Sequence, residues 1–187
     1  MINAEAIANK PTLTGERIRL VPLGPRHVDA TFEALQDPEG LRLTGTHQTF
    51  TYEQIERWCA SREEQPDRLD MVIELNDTGA YAGELSVNEF DLDNESAGFR
   101  IALVSGFQGQ GIGPEATRLI LGYVFDVVGL HRVQLEVFSF NERARRSYEK
   151  CGFVVEGRLR DALFWHGERH DTIVMGILRS EFSSLHG

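Results

Sequence analysis

Alternating and helical patterns of apolar residues divide the chain into short elements. Residues 16–23 alternate and predict a first strand, and Pro25 then suits the first turn of a helix. Residues 41–50 are polar and contain glycine, which predicts a loop or a broken helix. Thr51 and Gln54 form a capping-box pattern that begins another helix.

Three runs in the middle of the chain predict an antiparallel meander, at residues 71–75, 81–90 and 96–104. A glycine-rich turn follows, and an amphipathic helix extends from about Pro114 to Val128. A strand at residues 131–138 and a short helix at residues 141–150 come next. A closing hairpin with strands at residues 153–164 and 170–178 completes the pattern. This order predicts an α/β (α+β) fold with a mixed, largely antiparallel sheet and helices on both faces.

Composition restricts the class of protein. With 187 residues and 41 % apolar residues, the chain predicts one globular domain at residues 11–187, preceded by a flexible tail at residues 1–10. A formal net charge of −10 argues against a nucleic-acid ligand. No apolar run is long enough to span a membrane, and the first residues lack the pattern of a signal peptide, so we expect a cytoplasmic protein.

The two cysteines, Cys59 and Cys151, lie in predicted helices and outside any Cys-x-x-Cys pair. This placement is typical of buried, reduced thiols. We therefore expect no metal site.

The most informative stretch is a glycine-rich turn between a predicted strand and a predicted helix, Gln108-Gly109-Gln110-Gly111-Ile112-Gly113. Backbone N–H groups at such a helix start can hold phosphate groups. The glycine spacing fits neither the dinucleotide-binding fingerprint nor the P-loop. A tight turn without a ligand is the alternative interpretation.

The residues around this turn carry a family resemblance. Gln108-x-x-Gly111-x-Gly113, followed by a helix, a strand, Asn141 and the sequence at 148–153, resembles the GNAT superfamily of acyl-CoA N-acyltransferases. Residues 13–20, and residues 152–157 followed by Asp171, resemble its branch of ribosomal-protein-alanine (N-terminal) acetyltransferases. The resemblance extends from about residue 11 to residue 182.

The resemblance implies a GNAT-type sheet of about seven strands that splays open at the fourth strand. The pantetheine arm of coenzyme A would pair with the freed backbone of Ala102, Leu103 and Val104. The pyrophosphate would bind the amides of Gln108, Gly109, Gln110, Gly111, Ile112 and Gly113. Amides near Leu103 and Val104 would hold the oxyanion. Ser105-Gly106 stands where the family often has proline, so we expect a more flexible loop there.

Catalytic and substrate residues are also carried over by resemblance. Tyr148 matches the tyrosine that acts as general acid in many members, and Ser147 is the second candidate for this role. The alternative interpretation is that Tyr148 only packs in the core. Asn141 caps a helix and would also bind the pantetheine arm. Glu84 and Glu136, on central strands, are candidate general bases or else solvated strand residues. His131 is interpreted as a surface or capping residue. His47 is a candidate for the acceptor site, and Trp165 would border the acceptor site or a partner subunit.

These observations predict an N-acetyltransferase without a metal. A primary amine, either a protein N-terminal α-amine or a small-molecule amine, would attack acetyl-CoA directly. Alternatives are transfer of a larger acyl group such as succinyl, a non-catalytic acyl-CoA-binding regulatory module, and a nucleotide-binding oxidoreductase. A homodimer is considered because dimers are common among relatives.

Overall fold

The computed structural model describes residues 2–186 and contains one eight-stranded sheet in the order β1-β2-β3-β4-β5-β6-β8-β7. The strands are β1 (Leu13–Thr14), β2 (Ile18–Pro22), β3 (Leu69–Leu75), β4 (Tyr81–Asp91), β5 (Ser96–Leu103), β6 (Arg132–Phe138), β7 (Val154–Trp165) and β8 (Glu168–Leu178). The one parallel pair among these strands is β5 with β6. The predicted mixed, largely antiparallel sheet is confirmed, with eight strands where the sequence predicts about seven.

Helices cover both faces of the sheet. They are α1 (Ala4–Ala8), α2 (Val28–Ala34), α3 (Pro38–Thr44), α4 (Tyr52–Arg62), α5 (Ile112–Tyr123), α6 (Glu142–Lys150) and α7 (Arg179–His186). The larger core joins α5 and α6 to one face through residues such as Ala116 and Tyr148. A smaller core joins α2 and α4 to the other face, through Val28 and Ile55 against Val72.

Local sequence determines where several helices begin. The Thr51 hydroxyl accepts from the Gln54 amide at 3.3 Å, and the Gln54 side chain accepts from the Thr51 amide at 2.8 Å, so the predicted capping box is confirmed. The Asn141 side chain caps α6 by accepting from the Ala144 amide at 3.2 Å. Of the predicted loop or broken helix at 41–50, residues 41–44 belong to the short helix α3, which Pro38 and the Asp37 cap begin, and residues 46–50 form a loop.

The sheet opens between β5 and β6. These strands pair only where Ser96–Gly98 meets Arg132–Gln134. Beyond Gly98, β5 remains paired with β4 alone, up to Leu103. The strand β5 is the fourth long strand of the chain, so the predicted position of the splay is confirmed.

The N-terminal segment differs from the predicted flexible tail. Residues 4–8 form α1, in which Ala6 and Ile7 are buried in the larger core. The Tyr123 hydroxyl donates to the Ala6 carbonyl at 2.7 Å, and the Asn3 amide donates to the Val128 carbonyl at 2.8 Å. The segment is too short to show a helical periodicity, and it is docked by hydrogen bonds to partners more than 110 residues away in the chain.

We expect the Ile7→Ala substitution to lower the free energy of unfolding by about 2–4 kcal/mol, because it removes a side chain that is only 2 % exposed. Urea unfolding measures this change. Glu5→Ala, on the exposed side of the same helix, is the matched control and should change stability by less than about 0.5 kcal/mol. Equal, small effects for both variants would contradict the docked position of α1.

Both cysteines are buried and free, as predicted. Among residues 2–186, no helix is long and apolar enough to cross a membrane. Over the same residues, no group of three His, Cys, Asp or Glu side chains is arranged to hold a metal ion.

Candidate active site

A cleft of about 820 Å³ occupies the opening between β5 and β6. The loop at 105–111, α6 and α3 complete its walls. Many of the residues singled out from the sequence line it, namely Ala102, Leu103, Gln108, Gly109, Gly111, Gly113, Asn141, Ser147, Tyr148 and Glu136. Others do not line it, namely Glu84, Val104, Gln110, Ile112, His47 and Trp165.

The glycine-rich loop presents a row of unused amides. The N–H groups of residues 109–113 donate to no acceptor among the residues that the structure describes. Gly109 and Gly111 have φ values of 75° and 80°, a conformation that glycine adopts without a steric penalty. Because Gly111 is also the N-cap of α5, the free amides lie at the positive end of the helix dipole. This arrangement suits a phosphate or diphosphate group.

Side chains of the glycine-rich loop itself stabilise its conformation. The Gln108 side chain donates to the Leu103 carbonyl at 3.0 Å and accepts from Arg143. The Gln110 side chain donates to the Gly106 carbonyl at 2.7 Å. The side chain of Ile112 is 3 % exposed and anchors the start of α5 in the core. The side chains of Gln108, Gln110 and Ile112 therefore hold the backbone in place. The Gln108 amide donates to the Ser105 carbonyl at 3.4 Å, so the prediction for this amide is wrong, whereas the amides of Gln110 and Ile112 remain candidate ligands.

The connection after β5 differs from the expected flexible loop. Ser105–Phe107 forms a 3₁₀ turn, and the Ser105 hydroxyl donates to Asp37 at 2.5 Å. This hydrogen bond lowers the pKa of Asp37 below its ordinary value. Since Asp37 also caps α3, it connects this helix to the turn that precedes the glycine-rich loop.

The two predicted oxyanion donors are not equivalent. The Val104 amide donates to the Ala82 carbonyl at 2.9 Å, so the prediction for the Val104 amide is wrong. Antiparallel strands alternate between residues bonded to the partner and residues directed away from it. With Val104 bonded to β4, the Leu103 amide points into the opening, where β6 has diverged. The pairing register of β5 with β4 determines whether the amide of Leu103 or that of Val104 is free. The sequence does not reveal this register.

Tyr148 is inserted edge-on into the core while its hydroxyl reaches the cleft. The residue is 8 % exposed, and its ring centre lies 6.5 Å from that of Phe99 and 5.9 Å from that of Phe153. No described residue forms a hydrogen bond with the hydroxyl. Burial raises the pKa of Tyr148 above its ordinary value, so the phenol is protonated at neutral pH and can donate.

Two further polar residues, Ser147 on α6 and Asn141 at the N-cap of this helix, line the same cleft as Tyr148. Ser147 lines the same cleft and is half-buried. The Oδ1 of Asn141 is used in capping α6, whereas its Nδ2 donates to none of the described residues. The Asn141 amide therefore has a free donor on the cleft wall.

Glu84 is wrongly predicted as a cleft base. Its carboxylate accepts from the Tyr81 hydroxyl at 2.6 Å and from the Thr31 hydroxyl, beneath α2 and α4. Burial raises the pKa of Glu84. The sequence predicts the position of Glu84 on a central strand, but the helices that cover this part of the sheet are distant from it in the chain.

Two other carboxylates do reach the cleft. Glu136 on β6 and Glu89 at an irregular position of β4 are exposed and line the cleft. Neither forms a hydrogen bond or ion pair with another described residue. Glu89 has a φ of 54°, an unusual value for a residue with a side chain, and the turn sequence nearby gave no sign of it. The cleft therefore carries two unpaired negative charges.

His47 and Trp165 contact each other outside the cleft lining. Their ring centres are 4.8 Å apart. The neighbouring Gly45 has a φ of 65° and is packed so closely on Phe138 that a β-carbon there would lie 2.6 Å from the ring. The loop after α3 is thus held against β6, with the His47–Trp165 pair at its outer end.

Family comparison agrees with this geometry. The sequence profile described as "Acetyltransferase (GNAT) domain" matches residues 17–154, and the chain belongs to this family. It is similar to the SPbeta prophage-derived uncharacterized N-acetyltransferase YokL of Bacillus subtilis (strain 168), at 26 % identity over 93 % of this chain and 97 % of the relative. Spermidine N(1)-acetyltransferase of Escherichia coli (strain K12) is 32 % identical over 58 % of each chain.

A solved structure has the same fold. The spermidine N-acetyltransferase from Vibrio cholerae, in complex with CoA and spermine, has a TM-score of 0.84 and 23 % identity, covering 90 % of this chain and 99 % of that chain. The predicted enzyme class and donor are confirmed: the protein is an N-acetyltransferase that uses acetyl-CoA.

Proposed function

We propose that this cleft transfers an acetyl group from acetyl-CoA to a primary amine by direct attack. The observation that carries the proposal is the row of free amides at residues 109–113, next to the opening between β5 and β6. The amides fit a diphosphate, and the unpaired edge of β5 fits the amide groups of a pantetheine arm. Arg143, Arg146 and Lys150 add positive charge to the same wall of the cleft.

Each group on the wall has a distinct task in the reaction. Acetyl-CoA supplies a thioester, and the amine nitrogen bonds to its carbonyl carbon as the carbon–sulfur bond breaks. The Leu103 amide donates to the carbonyl oxygen as negative charge develops there. Tyr148 gives its proton to the departing sulfur, with Ser147 as the alternative acid. Asn141 donates to the pantetheine arm from its free Nδ2.

We place the acceptor on the side of the cleft that contains Glu136 and Glu89. Two unpaired carboxylates attract a cationic molecule, and Glu136 is placed to take the proton released by the amine. These charges favour a small amine with more than one positive centre. The relatives that act on spermidine are consistent with this choice.

The second candidate acceptor is a protein N-terminal α-amine. The resemblance of residues 13–20 and 152–157 to the ribosomal-protein-alanine branch supports it. An α-amine has a pKa of about 7.7–8.0, so it needs less help with deprotonation than a side-chain-type amine of about 10.4. Homodimer formation, a cytoplasmic location and preference for acetyl over larger acyl groups remain predictions.

An acceptor screen tests the proposed function. Purified protein is incubated with acetyl-CoA and, separately, with spermidine, monoamines and peptides with free N-termini. Thiol release and the mass of the product are then measured. We expect acetylated spermidine as the main product, and acetylated peptides would favour the second candidate. CoA binding without thiol release for any amine would support the alternative of a non-catalytic regulatory module. Faster turnover with succinyl-CoA than with acetyl-CoA would show that the protein prefers to transfer a succinyl group.

The carboxylates provide a prediction about the acceptor. Glu136→Gln should raise KM for spermidine about 3- to 5-fold, the range of an exposed charge pair, and change KM for a monoamine less than 2-fold. Steady-state kinetics with both amines measures the difference. Glu149→Gln removes the same charge from the outer side of α6 and is the control. An equal change of KM for spermidine and for the monoamine would show that Glu136 does not recognise the second positive charge of the acceptor.

A further inference from the structure

Arg17 connects the start of the sheet to the glycine-rich loop. It lies in the turn between β1 and β2, within the N-terminal motif that no catalytic role explains. Its Nη1 donates to the Gln110 carbonyl at 2.8 Å. Its Nε donates to Glu115 on α5 at 3.0 Å. One side chain thus contacts both the loop and the helix that the loop begins.

The contact between Arg17 and the Gln110 carbonyl also fixes the direction of the Gly111 N–H, because the peptide bond between residues 110 and 111 is planar. In a trans peptide, the carbonyl of one residue and the N–H of the next point in opposite directions. Arg17 holds the Gln110 carbonyl on the side of β2, so the Gly111 N–H is directed to the other side. Gly111 lines the cleft on that side, and its N–H is one of the free amides.

Glu115 holds Arg17 in this position. Its carboxylate accepts from the Arg17 amide at 2.8 Å, from Arg17 Nε at 3.0 Å and from the Ile18 amide at 3.4 Å. Burial raises the pKa of Glu115, but these hydrogen bonds outweigh burial and lower the pKa below its ordinary value. Gly15 allows the approach, because a β-carbon there would lie 2.8 Å from the carboxylate.

We propose that Arg17, held by Glu115, is a positioning residue that fixes the Gln110–Gly111 peptide so that the loop amides face the diphosphate. This inference rests on the proposed placement of acetyl-CoA. Arg17 acts through the backbone of the loop and does not take part in the transfer. The N-terminal motif therefore contributes to binding of the acyl donor.

Comparison of two acetyl donors tests the role of Arg17. S-acetylpantetheine carries the thioester and lacks the diphosphate. Arg17→Ala should raise KM for acetyl-CoA about tenfold with kcat within about twofold, the effect of one lost hydrogen bond to a key group. It should leave kcat/KM for S-acetylpantetheine unchanged. Arg17→Lys, which can still donate to the Gln110 carbonyl, should recover part of the loss.

Arg19→Ala is the matched control. Arg19 lies two residues away, is similarly exposed and pairs with Glu74 at 2.7 Å, but it has no contact with the loop. KM for acetyl-CoA should not change in this variant. Unfolding by urea gives the stability of all variants, so that a general loss of folding is recognised by a lowered free energy of unfolding.

The outcomes separate this inference from the proposed function. If the wild-type protein uses both donors with equal kcat/KM, the proposed placement of the diphosphate is wrong. If it prefers acetyl-CoA and Arg17→Ala keeps that preference, only the role of Arg17 is wrong. Equal losses with both donors would likewise contradict the positioning role.

Discussion

Tyr148→Phe is expected to lower kcat about 100- to 1,000-fold, within the range that general acid–base catalysis supplies. The substitution removes the hydroxyl that reaches the cleft and keeps the ring between Phe99 and Phe153. Affinity for CoA, measured by calorimetry, should stay within about twofold because the diphosphate contacts lie elsewhere. Thiol release under saturating substrates measures kcat.

Tyr123→Phe provides the matched control. It removes a tyrosine hydroxyl that donates to the Ala6 carbonyl, far from the opening between β5 and β6. Stability should fall by about 1 kcal/mol while kcat is retained. Unchanged turnover in Tyr148→Phe would exclude Tyr148 as the acid, and a large loss in Ser147→Ala would then assign the proton to Ser147.

The pH dependence of kcat checks the same assignment. Burial raises the pKa of Tyr148 above its ordinary value of about 10, so the folded protein keeps the proton to higher pH than an exposed phenol does. In the wild-type protein, kcat should therefore show no alkaline decline from loss of this proton below about pH 10.

Gly83→Ala is expected to lower the free energy of unfolding by about 2–5 kcal/mol, the sum of backbone strain and overpacking. Gly83 has a φ of 152°, and a β-carbon there would lie 2.2 Å from the Ala102 carbonyl oxygen and 2.9 Å from the Leu103 Cα. Both contacts are with backbone, so β4 and β5 must separate next to the catalytic opening. Urea unfolding measures the stability, and thiol release measures the accompanying loss of activity.

Gly122→Ala is the control for this substitution. No atom lies within 4 Å of its β-carbon position, and alanine in a helix is favoured over glycine by about 0.5–1 kcal/mol. Gly122→Ala should therefore be neutral or slightly stabilising. A loss below 1 kcal/mol in Gly83→Ala would contradict the close pairing of β4 and β5 at this position.

Residues that act close together in sequence could be predicted. Gly109, Gly111 and Gly113 follow a strand and precede a helix, and this local order alone indicates a turn with free amides. Asn141 is the recognisable cap of the helix that contains Tyr148, so the sequence order predicts that both residues lie on the same wall of the cleft. The splay at β5 followed from the family resemblance.

Features that depend on distant pairings could not be predicted. The choice between Leu103 and Val104 depends on the register with β4. The burial of Glu84 depends on α2 and α4, which cover it from another part of the chain. Arg17 and Glu115 are 98 residues apart, so the sequence shows the motif that contains Arg17 but not the contact.

Binding of acetyl-CoA, as we propose it, depends above all on the amides of residues 109–113, which hold the diphosphate. The most direct test follows backbone amide signals by NMR while CoA is added to the labelled protein. The largest proton shifts should occur at Gly109, Gly111 and Gly113, in the downfield direction expected for new hydrogen bonds, with smaller changes in α4. Saturable binding of CoA that leaves these three signals unshifted would show that the glycine-rich loop does not hold the diphosphate.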